Sequence, residues 1–198
     1  MKLKWLTGRS STLLPLLLVA GLSQIVNARE PTAFDLVKEG NRHLGEDAKG
    51  RVVQIRSEKS VGGLTPNIWY IVYYDPDAAA KATEVKFAAG TKVAVRRPPR
   101  VLEPITGAHR ELPKEKLKID SDKAIEIAKK EPLVKNLKLT NAELKLERGE
   151  GDLPVWKVKL WAAKIRRPSD TVNIGEIYIS ADEGKVVKND LKPGRVDN

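Results

Sequence analysis

The segment WYIVYYDPD, Trp69 to Asp77, places four of the chain's ten aromatic residues within six positions. Aromatic and β-branched residues are typical of strands, and the Asp-Pro pair that follows is typical of a turn. Such a strand could offer its rings to a ligand, or it could lie buried in a small sheet. The predicted function depends on which of these two interpretations holds.

Alternation along this strand predicts which side chains share a face, because successive side chains of a strand point to opposite faces. One face carries Trp69, Ile71 and Tyr73. The other carries Tyr70, Val72 and Tyr74. A second segment, DLPVWKVKLWAA from Asp152, has the same phase, with lysines opposite Trp156, Val158 and Leu160. The charged alternates identify the buried face, so we expect Trp69 and Trp156 in the core and an interface or contact surface opposite them.

The order of elements repeats along the chain. A short capped helix, an alternating strand, a turn, an aromatic strand and a further strand occur twice, with Ala33 aligned on Ala124 and Trp69 on Trp156. In the first helix, Thr32 and Asp35 are spaced as a capping pair. The repeat predicts an α+β fold of two tandem small units, each a short helix packed on an antiparallel sheet of three to four strands, and the units are expected to pack together.

Composition shifts mark the expected boundaries. The stretch RRPPRVLEPITGAHRELPKEKLK contains four prolines and favours neither a helix nor a central strand. We therefore expect a signal peptide at 1–28, a first unit at 29–97, a Pro-rich connector at 98–118 and a second unit at 119–198.

The N-terminal segment has the layout of a secretory signal peptide. Basic residues precede the short apolar run Leu13–Leu22, and Val26-Asn27-Ala28 ends in a small-residue cleavage pattern. We expect cleavage after Ala28, a periplasmic or secreted protein, and no stable membrane anchor after cleavage; an uncleaved anchor is the alternative. The chain has no Cys, which excludes disulfides and fits a bacterial envelope protein.

One family resemblance follows from the second half of the chain. Trp156-Lys157-Val158, and Ile177-Tyr178-Ile179 with the turn through Gly184, resemble the PepSY or PepSY-like domain. The resemblance covers residues 120–192 well and 31–97 more loosely. It implies a helix against an antiparallel sheet, an extracytoplasmic location, and a role in restraining peptidases or binding proteins. It brings no catalytic residues.

A search for chemistry-bearing motifs predicts that the protein is not an enzyme and takes no cofactor or metal. Nucleotide-binding, zinc-protease and nucleophile-elbow motifs are absent, and His43 and His109 lack ligand-like spacing. Asp75 and Asp77 have turn chemistry, although their oxygens could also suit Ca²⁺. Ser57 and Ser60 flank Lys59 at what we interpret as a strand end.

The leading prediction is therefore an exported non-catalytic binding module of the bacterial cell envelope, peptidase-restraining or protein-binding, with a protein or peptide as partner. Export argues against nucleic acid as a ligand. The candidate partner-binding residues are Tyr70, Val72, Tyr74, Trp161, Arg96, Arg97, Arg100, Arg166 and Arg167. The alternative is a basic polyanion or membrane-surface binder that uses the Arg clusters, because removal of three basic residues with the signal peptide leaves 33 Lys and Arg against 26 Asp and Glu, a net +7. An enzyme is the third hypothesis.

Overall fold

A computed structural model of the protein describes residues 30–97 and 111–197. The expected signal peptide at 1–28, the connector residues up to 110, Arg100 and His109 lie outside this part of the chain. The predictions made for them stay predictions.

Each half of the chain supplies one α-helix and four strands in the same order. The first half contains α1 (Ala33–Gly40), β1 (Val52–Ser57), β2 (Ile68–Tyr74), β3 (Ala82–Ala88) and β4 (Thr91–Arg96). The second half contains α2 (Ser121–Lys129), β5 (Leu139–Arg148), β6 (Pro154–Ala163), β7 (Thr171–Ser180) and β8 (Val186–Asn189).

The strands form one antiparallel sheet of eight in the order β4-β3-β2-β1-β5-β6-β7-β8. The predicted fold class, two tandem units that each carry their own sheet, is therefore wrong. The two halves share a single sheet because β1 pairs with β5. Two separate sheets would each have left an additional edge of unpaired backbone groups, which the central pairing removes.

The junction between β1 and β5 is short and relies on serine side chains. Only Ile55 with Leu146 and Arg56 with Lys145 are regular pairs. Beyond them the N–H of Ser60 donates to the carbonyl of Ala142 at 2.8 Å. The Oγ atoms of Ser57 and Ser60 also accept hydrogen bonds from backbone N–H groups of β5, at 2.9 Å from Leu144 and 2.8 Å from Ala142. Ser57 is the last residue of β1, so the strand-end interpretation of this segment is confirmed.

The N-terminal ends of the two α-helices lie side by side, and side chains at the start of α2 help to cap α1. Thr32 and Asp35 form the predicted capping box of α1, which is confirmed. Asp120 is the N-cap of α2, yet its Oδ1 also accepts from the N–H of Phe34 at 3.1 Å. Ser121 Oγ accepts from the N–H of Ala33 at 3.0 Å. Backbone donors at the start of α1 are thus satisfied by side chains of the other half.

The core lies between the helices and one face of the sheet, and it is continuous across both halves. Trp69 is 3% exposed and Trp156 is fully buried, so the prediction that both belong to the core is confirmed. Each indole N–H is bonded to a backbone carbonyl, that of Pro66 or Ile119. Phe34 of α1 packs against Trp156, with ring centroids 6.2 Å apart. This contact crosses from one half to the other, which two independent units would lack.

Close packing also fixes the end of α1. The hydroxyl of Tyr73, on β2, donates to the carbonyl of Val37 at 3.0 Å. A Cβ on Gly40 would lie 2.2 Å from that hydroxyl oxygen, so a side chain there would displace the buried ring. Burial raises the pKa of Tyr73, which keeps its hydroxyl protonated as a donor.

Substitutions on β2 should separate the two faces of the sheet. We expect Trp69→Ala to lower the free energy of unfolding by about 3–5 kcal/mol, because it leaves a large cavity in the core. Tyr70→Ala should lose its contacts with Arg56 and Lys86, about 0.5–1 kcal/mol each, and the exposed hydrogen bond from its hydroxyl to Glu58, but it should leave no cavity in the core. Urea denaturation of both variants measures the difference, and equal losses would contradict this assignment of faces.

A second test concerns the central junction. Ser60→Ala removes the acceptor of the Ala142 N–H at a position only 1% exposed, so we expect a loss of about 1–3 kcal/mol. Ser169→Ala, in an exposed loop, is the matched control and should change stability by less than about 0.5 kcal/mol. Thermal and urea melts that show the two variants to be alike would exclude a structural role for Ser60.

Candidate binding face

Both α-helices contribute to the core on one face of the sheet, and the opposite face carries no helix of the described residues. We call this second surface the helix-free face. An antiparallel sheet commonly has one face on the core and one face toward solvent. The side chains of the helix-free face are therefore placed to meet a partner.

A single row of directly opposed residues crosses this face from edge to edge. The strand register aligns Ala94, Lys86, Tyr70, Arg56, Lys145, Lys157, Tyr178 and Lys188, one from each strand. We call these eight residues the cationic row. It contains five basic residues, two tyrosines and no acidic residue. From Lys86 to Lys188 it spans six strand spacings, about 29 Å.

Carboxylates in the neighbouring rows hold the central cations of the row in place. Glu84 pairs with Arg56, and Glu147 pairs with both Lys145 and Lys157. The two carboxylate side chains are 17% and 15% exposed, whereas the three cationic side chains are 30–40% exposed. The acids therefore lie beneath the cations. Solvent meets positive charge at the centre of the face, even though each cation has a partner.

The outward aromatic rings are covered by cations. Arg56 lies 4.2 Å from the ring centroid of Tyr70 and Lys86 lies 4.9 Å from it. Lys188 and Lys157 are 5.0 and 5.6 Å from the Tyr178 ring. Cations at these distances are attracted to the ring face. The rings thus support the basic groups of the row.

Sequence reasoning did not identify the basic residues of this row as candidates. The alternation in RVVQIRSEK and AELKLERG placed their charges opposite the core, but alternation does not say which strands are neighbours. The row exists only because β1 pairs with β5, which brings Arg56 beside Lys145. Like charges in directly opposed positions are unfavourable, so such a row is not expected from strand propensity alone.

The four candidate apolar and aromatic residues lie on this face. Tyr70 is a member of the row, and Trp161 lies on β6, where Lys59 and Lys159 are 4.8 and 5.7 Å from its ring. Val72 is 5% exposed, in a small apolar cluster with Val53, Ala82 and Tyr74. The rings of Tyr70, Tyr74 and Trp161 are half-buried, so they contribute edges rather than a bare stacking platform.

The structure does not bring the candidate arginines together. Arg96 ends β4 opposite Glu84, and Arg97 pairs with Asp75 at 3.2 Å. Arg166 and Arg167 lie in the loop between β6 and β7. Because neighbouring strands are antiparallel, that loop and the end of β4 lie at opposite ends of the sheet. The two described Arg pairs cannot form one compact site.

A cleft lies on the helix side of the sheet, beside the first residues of both helices. Its volume is about 470 Å³, and it lies beneath the loop that joins β1 to β2. Apolar parts of its wall come from Pro31, Val61, Leu64, Trp69 and Ile125. The polar groups of Thr32 and Ser121 that line it already cap α1. This cleft could accept a small apolar side chain.

The side chain of Asp75 stabilises the turn between β2 and β3. Its carboxylate accepts from Thr83 Oγ1 and from the Asp77 N–H, which gives it a structural role in the β2–β3 turn. Burial would raise the pKa of Asp75, but these hydrogen bonds and Arg97 outweigh burial and lower it.

Within residues 30–97 and 111–197, no group of three His, Cys, Asp or Glu is arranged to hold a metal ion. None of the helices described is long and apolar enough to cross a membrane.

In comparisons with known proteins, the chain matches no family model, no curated protein and no solved structure. The resemblance to PepSY-like domains therefore stays a prediction.

The ion pairs of Glu147 predict how the stability of the protein depends on pH. Burial alone would raise the pKa of Glu147, but Lys145 and Lys157 outweigh it and hold the pKa below its ordinary value of 4.5. A lowered folded-state pKa stabilises the protein above about pH 4.5, and this contribution is lost as the pH falls through the folded-state value. We expect Glu147→Gln to flatten the loss of stability between pH 5 and 3. Urea denaturation across that range measures it, and an unchanged pH dependence would contradict the pairing.

Proposed function

We propose that the protein is an exported, non-catalytic binding protein of the cell envelope that binds an acidic protein surface through its helix-free face. The observation that carries the proposal is the run of Arg56, Lys145 and Lys157 across the centre of the sheet, with the carboxylates that pair with them lying beneath. The location rests on the predicted cleavage after Ala28.

Three features support a protein as the partner. The face spans seven strand spacings, about 34 Å, by about 20 Å along a six-residue strand, an area of roughly 700 Å². Each partner in a standard protein interface buries about 800 Å². Tyr, Trp and Arg, which this face presents, are the residues in which interface energy concentrates. The cations are also oriented before binding, which lowers the entropy that association would cost.

We infer an acidic partner because the cations of the row are more exposed to solvent than the carboxylates that pair with them. A carboxylate that approached the row would meet three neighbouring cations, Arg56, Lys145 and Lys157, before it met the acids beneath them. A basic partner would be repelled by those same cations. Charge complementarity of this kind speeds encounter and selects among partners.

The proposal can be tested by photo-crosslinking in the cells that make the protein. A benzophenone amino acid in place of Tyr70 should give one discrete protein adduct, whereas the same group in place of Lys130, at the end of α2, should give none. Adducts of equal yield at both positions would overturn the proposal. Adducts that contain only anionic polymer or lipid, and that disappear with added salt, would favour the polyanion alternative.

A pair of matched triple variants shows whether the row's charges matter. Lys145→Gln, Lys157→Gln and Glu147→Gln together remove two central cations of the row and the carboxylate that pairs with both of them. Glu126→Gln, Lys129→Gln and Lys130→Gln remove the same charges, including an ion pair, from α2. We expect the first triple to reduce the Tyr70 adduct about tenfold and the second to leave it unchanged. Circular dichroism checks that both variants fold.

A further inference from the structure

A polar bay lies at one edge of the helix-free face, where the cationic row ends. It has a volume of about 670 Å³, and we call it the amide bay. Its wall includes Lys159, Asn173, Glu176, Asn189, Lys192 and Arg195. β8 ends at Asn189, and the chain then continues along β7, with the N–H of Asp190 bonded to the carbonyl of Glu176 at 2.9 Å.

Gly175 makes this close approach of the chain possible. Its φ of +108° is unfavourable for residues with a side chain, and a Cβ there would lie 2.4 Å from the carbonyl oxygen of Asp190. The N–H of Lys192 donates to the carbonyl of Ile174, the residue before Gly175, at 2.6 Å. The wall of the bay is therefore held by backbone contacts.

Two asparagines present donors to the bay. Asn173 Oδ1 accepts from the N–H of Gly175 at 2.7 Å, and Asn189 Oδ1 accepts from the N–H of Leu191 at 3.1 Å. Because both side-chain oxygens are engaged in this way, the NH₂ group of each side chain is left as the polar group that can meet a ligand. These NH₂ groups have no hydrogen-bond partner within the described residues.

The basic groups of the bay keep donors for a ligand. Arg195 Nη1 donates to the carbonyl of Asn173 at 3.1 Å, which positions its guanidinium. Lys159 Nζ is 3.9 Å from Glu176 Oε1, beyond hydrogen-bond reach. Lys192 has no side-chain hydrogen bond or ion pair in the part of the chain described. Three cations thus line one bay with donors to spare.

The two carboxylates of the bay also have partners on neighbouring residues of the sheet. Glu176 accepts from the hydroxyl of Tyr178 at 3.1 Å, and Asp190 pairs with Lys188 at 2.5 Å. Tyr178 and Lys188 both belong to the cationic row. The bay therefore combines three cations and two oriented amides with two carboxylates, which leaves an excess of one positive charge.

We propose that the amide bay binds an oxyanion, a carboxylate or phosphate group. The inference rests on the proposed function and deepens it, because an acidic group of the partner that lies along the cationic row would reach the bay at its end. Charge-assisted hydrogen bonds from Lys and Arg, joined by amide donors, are the contacts that such groups form.

Nuclear magnetic resonance of the mature chain tests the inference with two probes, inorganic phosphate and acetate, at constant ionic strength. We expect saturable shifts of the side-chain NH₂ signals of Asn173 and Asn189 and of the Gly175 amide. The probe with the lower dissociation constant identifies the source as phosphate or carboxylate. Lys192→Gln should weaken binding about tenfold, whereas Lys135→Gln, another exposed lysine without an ion pair among the described residues, should leave it unchanged.

Shifts that do not saturate, or that spread equally over all lysine-bearing surfaces, would overturn the inference, as would an unchanged dissociation constant for Lys192→Gln. The result of this binding experiment can be distinguished from the result of the crosslinking experiment. A Tyr70 adduct without bay binding overturns the oxyanion site and leaves the binding face in place. Bay binding without an adduct supports the oxyanion site and overturns the protein-binding proposal.

Discussion

The backbone pairing between β1 and β5 holds the two halves of the chain in one sheet. Two regular pairs, a backbone hydrogen bond from Ser60 to Ala142 and two serine hydroxyls join β1 and the residues after it to β5, and this short junction turns two four-stranded meanders into one sheet. Without it, both strands would expose unpaired backbone groups at the centre of the molecule. The shared caps of α1 and α2 reinforce the junction from the helix side, because Asp120 and Ser121 satisfy amides of the other half.

A single sheet with both helices on one side has a direct consequence for function. The core occupies the helix side, so the other face carries polar and aromatic side chains across eight strands, with one small apolar cluster around Val72. The central pairing places Arg56 beside Lys145 and so builds a row of cations that neither half contains alone. Glu147 and Glu84 offset the repulsion from beneath. The same pairing that completes the fold therefore also creates the proposed binding surface.

Much of the local structure could be predicted from sequence. The capping pair of α1, the strands, and the inward direction of Trp69 and Trp156 follow from spacing and alternation, which are properties of a few neighbouring residues. The serines near Lys59 were also correctly placed at a strand end. The sheet architecture was predicted wrongly, since alternation marks a strand's buried face but carries no information about which strand lies beside it.

The positions of the helices and strands, and the inward direction of Trp69 and Trp156, can be read from the amino-acid sequence, because those features depend on periodicity and on local hydrogen bonds. Three features instead come from the way the strands pair in space: the halves share one sheet, Phe34 packs on Trp156, and the Arg96 and Arg166 regions lie at opposite ends of the sheet. The same pairing assembled the cationic row and the amide bay, whose members come from up to eight strands. The physical reason is that backbone hydrogen bonding between strands is non-local. Any two alternating strands can pair, and the pairing that forms is the one that buries a continuous core and leaves the fewest unpaired edges.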